Sequence, residues 1–154
     1  MIVRETMNFL NVSLAQLRSL TVWENSGGCS KSDFLHLKNG YPSIYFEFLS
    51  NVVATGLTNN ILPIPQTSTN GYLWLKENSV QAPLIYIDAD HEAVNVYSEI
   101  SNDWEVVSPG GILFGDDFVF IWLGVSRAVK LFAEKKELPL QMFGEKWLLR
   151  KDAE

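Results

Sequence analysis

A chain of 154 residues, 47% apolar and 12% aromatic, is one domain's worth of sequence with enough apolar surface to bury a core, which excludes intrinsic disorder. Its 12 Lys and Arg against 18 Asp and Glu leave a formal net charge of −6, which argues against nucleic acid or any partner gripped mainly through phosphates. The lone Cys29 can neither staple a fold nor complete a thiolate metal site; the longest apolar run, Phe118–Leu123, is far short of the ~20 residues of a membrane span, and Met1–Leu10 lacks a secretion signal's apolar stretch. A cytoplasmic protein with no membrane partner is expected.

The chain has no fixed-period repeat and no low-complexity linker, so residues 1–154 read as a single domain. Ser43–Ala54 places Ile44, Phe48, Leu49, Val52 and Val53 at helical spacing and ends at Gly56, which predicts a helix. Residues 60–64 (NILPI) form a short apolar run whose Pro63, with Pro65 just beyond, suits a strand near a sheet edge. Thr67 or Ser68 can cap a second helix reaching about Asn78. Leu84–Ile87 is apolar on both faces, as a central strand must be, and stops at Asp88, Asp90 and His91. A third helix follows with Ala93, Tyr97, Ile100 and Trp104 in one stripe. A turn at Ser108–Gly111 then leads into a strand over Ile112–Phe114 that ends at Asp116 and Asp117. A fourth helix over Ile121–Ala133 turns Val125, Ala128, Val129 and Phe132 inward, and Leu138–Phe143 and Lys146–Arg150 form two closing strands around Gly144.

Strands alternating with helices imply an α/β fold: a mostly parallel sheet with helices on both faces and an antiparallel closing strand. Ligands of such sheets bind beyond the carboxyl ends of the strands, where both acidic clusters fall. From Glu77 to Ser126 there are nine acids and no Lys or Arg, so no cation close in sequence balances them. Asp88, Asp116 and Asp117 can offer hard oxygen ligands to a divalent cation such as magnesium. Equally, Asp88 and Asp117 can cap the helices that follow, a task that needs no metal. His91 can lean over the same pocket mouth as a general base, or simply bond a neighbouring carboxylate at a helix start. His36 and Cys29 carry no functional expectation, and the tryptophans read mainly as core, with Trp122 closest to an acidic tip. No G-x-G or Walker sequence is present.

Taken in order, LIYIDADHEA (84–93), SPGGILFGDDF (108–118), GVSRAVKLFA (124–133) and KWLLRK (146–151) resemble the later part of a class I S-adenosylmethionine-dependent methyltransferase. The resemblance is to family 24 and its relatives, the macrocin-type sugar O-methyltransferases and the cephalosporin-hydroxylase-like proteins, and it covers residues 41–151. It implies a Rossmann-like fold, S-adenosylmethionine and Mg2+ as cofactors, and a small-molecule or sugar hydroxyl as acceptor. By the same resemblance, Asp88, Asp116 and Asp117 hold the metal, His91 abstracts the acceptor's proton, and the Pro65–Ser68 segment, with Gln66, Thr67 and Ser68, approaches the donor's adenine. Asp90 is expected to cap the helix instead.

The departures lie at the front. Residues 19–23 (SLTVW) resemble the family's second strand, but Thr21 stands where the family carries a ribose-binding acid, and the first strand with its glycine-rich loop is expected to be missing. Since that strand is central, either Ile2–Phe9 fills its place or the sheet stays split, and a split sheet offers an edge to a second copy of the chain. Two alternatives to an active O-methyltransferase follow: a truncated, inactive relative that acts by binding a partner or has no independent role, and an α/β metal-binding module that recognises a polyhydroxylated ligand.

Overall fold

The computed structural model describes residues 2–5, 19–23, 37–39 and 41–153. Its strands are β1 (Ile2–Glu5), β2 (Ser19–Trp23), β3 (Leu37–Lys38), β4 (Tyr41–Pro42), β5 (Ile61–Ile64), β6 (Ala82–Asp88), β7 (Val107–Gly115), β8 (Gln141–Phe143) and β9 (Lys146–Arg150). Its helices are α1 (Ser43–Ala54), α2 (Ser68–Glu77), α3 (Ala93–Val106) and α4 (Leu123–Lys135), the last entered through a 3-10 turn at Phe120–Trp122. Cys29 and His36 lie outside the described residues.

Seven strands form one sheet in the order β5-β2-β1-β6-β7-β9-β8, and β3 and β4 form a separate antiparallel ribbon. The pairs from β5 through β7 are all parallel, while β7–β9 and β9–β8 are antiparallel. The central place expected to lack its strand is taken by β1, in register with β2 (Ile2 opposite Leu20) and with β6 (Ile2 opposite Ile85). The backbone groups of β2 and β6 thus find ladder partners, which removes the sheet edge that a gap would have offered to a second copy. Residues 6–18, which connect β1 to β2, contain no glycine, so the strand is present without the glycine-rich loop.

Local chemistry accounts for the end of α1 and the start of α2. Helix α1 stops in a Schellman motif: the N–H of Leu57 reaches the Val52 carbonyl (3.0 Å), that of Gly56 reaches Val53 (3.0 Å), and Gly56 takes the left-handed φ of 71° the motif requires. Thr67 caps α2 by accepting the Asn70 N–H at 3.3 Å. The expected turn at Ser108–Gly111 is instead part of β7, as an irregularity in its pairing with β6: Ala82 lies opposite Val107 but Leu84 opposite Ile112. Of Leu138–Phe143 only the last three residues pair as a strand.

The core joins sheet and helices through Leu75, Ile85, Ile100, Leu113, Val129, Phe132, Trp147 and Leu149, all buried. Helix α4 turns Val125, Ala128, Val129 and Phe132 inward as its periodicity predicts. Helix α3 is rotated from its expected stripe. It buries Val96, Glu99, Ile100, Asp103 and Val106, whereas Tyr97 and Trp104 lie at the margin, edge-on to Phe132. Two acids on the inward face break the apolar pattern from which the stripe is read. In α1, Val52 is buried while Val53 is exposed.

Candidate functional site

Because β5, β2, β1, β6 and β7 run in the same direction, their carboxyl ends share one edge of the sheet. Strand β6 delivers Asp88 to that edge as its last residue, and β7 delivers Asp116 and Asp117 just past Gly115. The tips are held together at Gly115, where a Cβ would come within 2.5 Å of the Ile87 carbonyl and 2.6 Å of the Trp147 ring; only glycine allows so close an approach. Asp88, Asp90, Asp116 and Asp117 line a small cavity there with Ile87, Val125 and Trp147.

Beyond β6 the chain turns into α3 around Asp90, whose Oδ1 accepts the Glu92 N–H (2.6 Å) and whose Oδ2 accepts an N–H from Asn95 (2.9 Å). This turn sets His91 at the rim. Its Nε2 lies 2.8 Å from Asp117 Oδ2, and its ring stacks on Trp122, with centroids 4.1 Å apart and planes 23° from parallel. Gly124, in the first turn of α4, packs directly on the His91 carbonyl. Asp117 itself has a φ of 61°, in the left-handed region that Asp enters more readily than most residues. Neither Asp88 nor Asp117 occupies the N-cap of the following helix; Glu92 and Trp122 stand there, without side-chain caps.

One ligand atom each from Asp88, His91 and Asp117 lies within 4.8 Å of the other two. Two carboxylates and an imidazole at that spacing fit a divalent cation. Asp116 is placed differently: its Oδ2 accepts hydrogen bonds from Lys146 Nζ and from the Tyr86 hydroxyl (3.3 Å), and its Oδ1 accepts the Asp117 N–H (3.0 Å). Tyr86 also lies 3.2 Å from Asp88 Oδ2. Burial pushes Asp88 above the usual carboxylate range, and the negative charge of Asp117 adds to the rise. Burial acts on Asp116 in the same sense, but the hydrogen bonds from Lys146 and from the Asp117 backbone outweigh it and leave its carboxyl below that range. The Tyr86 hydroxyl is held protonated by burial and by both carboxylates.

Lys146 is the cation missing from the acid-only stretch between Glu77 and Ser126. It arrives from the neighbouring strand: the antiparallel register sets Gly115 opposite Trp147, which brings Lys146 beside Asp116. An antiparallel reading of the closing pair carries that signal, although sequence spacing does not. The Trp122–His91 stack was likewise open only to the extent that Trp122 follows the acidic tip.

At the other end of the edge, Gln66, Thr67 and Ser68 follow β5. Thr67 is the α2 cap, Gln66 Oε1 accepts an N–H of Asn70 at 3.4 Å, and Ser68 is buried. Three inter-strand steps separate β5 from β6, or roughly 14 Å at the usual strand spacing. Gln66–Ser68 and the Asp88 cluster therefore do not meet directly; they bracket one open edge.

The fold is that of the Rossmann-like S-adenosylmethionine-dependent O-methyltransferases. Similar solved structures include CalS11, a TDP-rhamnose 3′-O-methyltransferase of calicheamicin biosynthesis (17% identity, TM-score 0.60, 86% of this chain and 58% of that one). An O-methyltransferase from Bacillus cereus in complex with SAH matches at 14% identity and TM-score 0.62, over 87% and 63% of the two chains. The O-methyltransferase TomG from Streptomyces achromogenes, involved in tomaymycin synthesis and solved in complex with SAM, matches at 12% identity and TM-score 0.62, over 89% and 62%. The chain thus spans about three fifths of the length of these structures. No family model matches the chain, and no curated protein matches it in sequence. Among the described residues, no helix is long and apolar enough to cross a membrane.

Proposed function

We propose that this chain transfers a methyl group from S-adenosylmethionine to a hydroxyl of a small molecule or sugar, with a divalent cation such as Mg2+ at the acid cluster. The observation that carries the proposal is the convergence of Asp88, His91 and Asp117 at the carboxyl edge of a methyltransferase-type sheet. Asp88 and Asp117 would be direct ligands, with Asp116, paired to Lys146, beside them. When bound, the cation would orient the acceptor oxygen and lower its pKa.

His91 is the group suited to take the proton. With Nε2 giving its hydrogen to Asp117, Nδ1 keeps a lone pair for the acceptor's O–H, and the Trp122 stack fixes the ring. S-adenosylmethionine, when bound, would supply the methyl group to the acceptor oxygen as His91 takes the proton, the carbon–sulfur electron pair going to sulfur. The donor already carries an activated methyl, so the protein's task is in-line placement. Gln66, Thr67 and Ser68 would hold the adenine end of the donor along the same edge, and the length of that edge suits a donor extended from β5 towards Asp88.

The test is transfer of labelled methyl from S-adenosylmethionine to a panel of sugar and small-molecule hydroxyls, with and without Mg2+, by the wild type and Asp88→Asn. Transfer that falls at least tenfold in the variant supports the proposal. Equal turnover by both proteins would remove the acid cluster from the reaction.

A further inference from the structure

Two side chains that the reaction above leaves unused converge on the acids. The hydroxyl of Tyr86, midway in reach between Asp88 Oδ2 and Asp116 Oδ2, has one hydrogen to share between them. Lys146 donates to the same Asp116 oxygen and lies over the Tyr86 ring, 5.7 Å from its centroid. The second oxygen of Asp116 receives the Asp117 N–H, so both of its oxygens accept hydrogen bonds from within the protein. One oxygen each of Asp88 and Asp117 lies within 4.8 Å of the other and of a His91 ring nitrogen. The backbone at Lys146 is held by its pairing with Phe143 of β8, one residue from where Trp147 pairs with Gly115 of β7.

We propose that Lys146 is a built-in counter-cation for this site: a positioning residue that neutralises Asp116, keeps it out of the coordination shell and sets how tightly Asp88 and Asp117, beside His91, hold a divalent ion. The inference rests on the cation site of the proposed function. Its physical content is a competition. Without an ion, the ammonium offsets the repulsion among three neighbouring carboxylates; with an ion bound, the same positive charge opposes it, an opposition that solvent at the half-exposed lysine reduces without abolishing. Removing the charge relieves that opposition and frees a third carboxylate, so both effects tighten binding.

The test uses the full chain and Mn2+ as the probe, with affinity measured by calorimetry and by the electron-spin signal of free Mn2+. Lys146→Met is expected to bind Mn2+ about tenfold more tightly than the wild type, while its ion-free melting temperature falls. Lys146→Gln repeats the measurement with a polar side chain should the Met variant fold poorly, and Lys146→Arg, which keeps the charge, should bind within about twofold of wild type. Unchanged or weaker binding in the Met and Gln variants, beside a wild type that binds, would overturn the role of Lys146 alone. So would an Arg variant that behaves like the Met variant. Failure of both the wild type and the Met variant to bind Mn2+ would overturn the cation site as well as this inference.

Discussion

Gly124 is the position at which the smallest change should reach the site. A methyl group there would stand 2.0 Å from the His91 carbonyl oxygen and 2.8 Å from the Ala93 nitrogen, both backbone atoms with no rotamer to escape into. Since ordinary contact begins near 3.4 Å, Gly124→Ala must drive α4 and the His91 turn apart by more than 1 Å. Overpacking of this kind costs about 1–3 kcal/mol, and at about 2–4 °C per kcal/mol for a chain of this size the melting temperature should fall by roughly 2–12 °C. The same movement separates His91 from Trp122 and Asp117, and a misplacement near 1 Å can lower a rate about 100-fold. Scanning calorimetry and labelled-methyl transfer on the same preparation measure both effects. A Gly124→Ala protein that melts and turns over like the wild type would refute the close packing of α4 on the His91 turn.

Further outcomes follow from the same geometry. Saturation with Mg2+ or Mn2+ at about 100 times its dissociation constant should add about 2.7 kcal/mol of stability, a rise of roughly 5–11 °C, and Asp88→Asn or Asp117→Asn should abolish it; differential scanning calorimetry checks this. Asp88 binds its proton more tightly folded than unfolded, so its contribution to stability is present below the unfolded pKa and is lost as pH rises through the raised folded value. The ion-free Asp88→Asn protein should therefore lose less stability than the wild type as pH is raised from 4 to 7 in denaturant titrations. Trp122→Ala removes a stacked partner worth about 0.5–1.5 kcal/mol and should lower kcat more than it changes Mn2+ affinity; steady-state kinetics beside an ion titration separate the two.

The parts of the fold legible in the sequence are those whose signal is local. The apolar runs of β6 and β9, the Thr67 cap and the inward face of α4 each follow from a few neighbouring residues, and the aspartates at the tips of β6 and β7 follow from where those strands end. Strand β1 leaves little trace in the sequence, because four residues unaccompanied by a glycine-rich turn carry little pattern; its place is set by ladder groups of β2 and β6, both later in the chain. The α3 stripe was misaligned because Glu99 and Asp103 lie on its buried face. The engagement of Asp116 by Lys146 leaves no local signal, because it depends on strand register across 30 residues rather than on composition. The caps expected of Asp88 and Asp117 as the alternative to metal binding do not form, since the helices begin four or more residues later, after Asp90 has made its own turn.

The donor reading is tested most directly by calorimetric titration of the purified chain with S-adenosylhomocysteine, in the presence and absence of Mg2+. Saturable binding at one site per chain, weakened by substitution of Gln66 and Thr67 with alanine, is the predicted result. No heat of binding at millimolar ligand, with or without the cation, would contradict a methyltransferase function for this sheet edge.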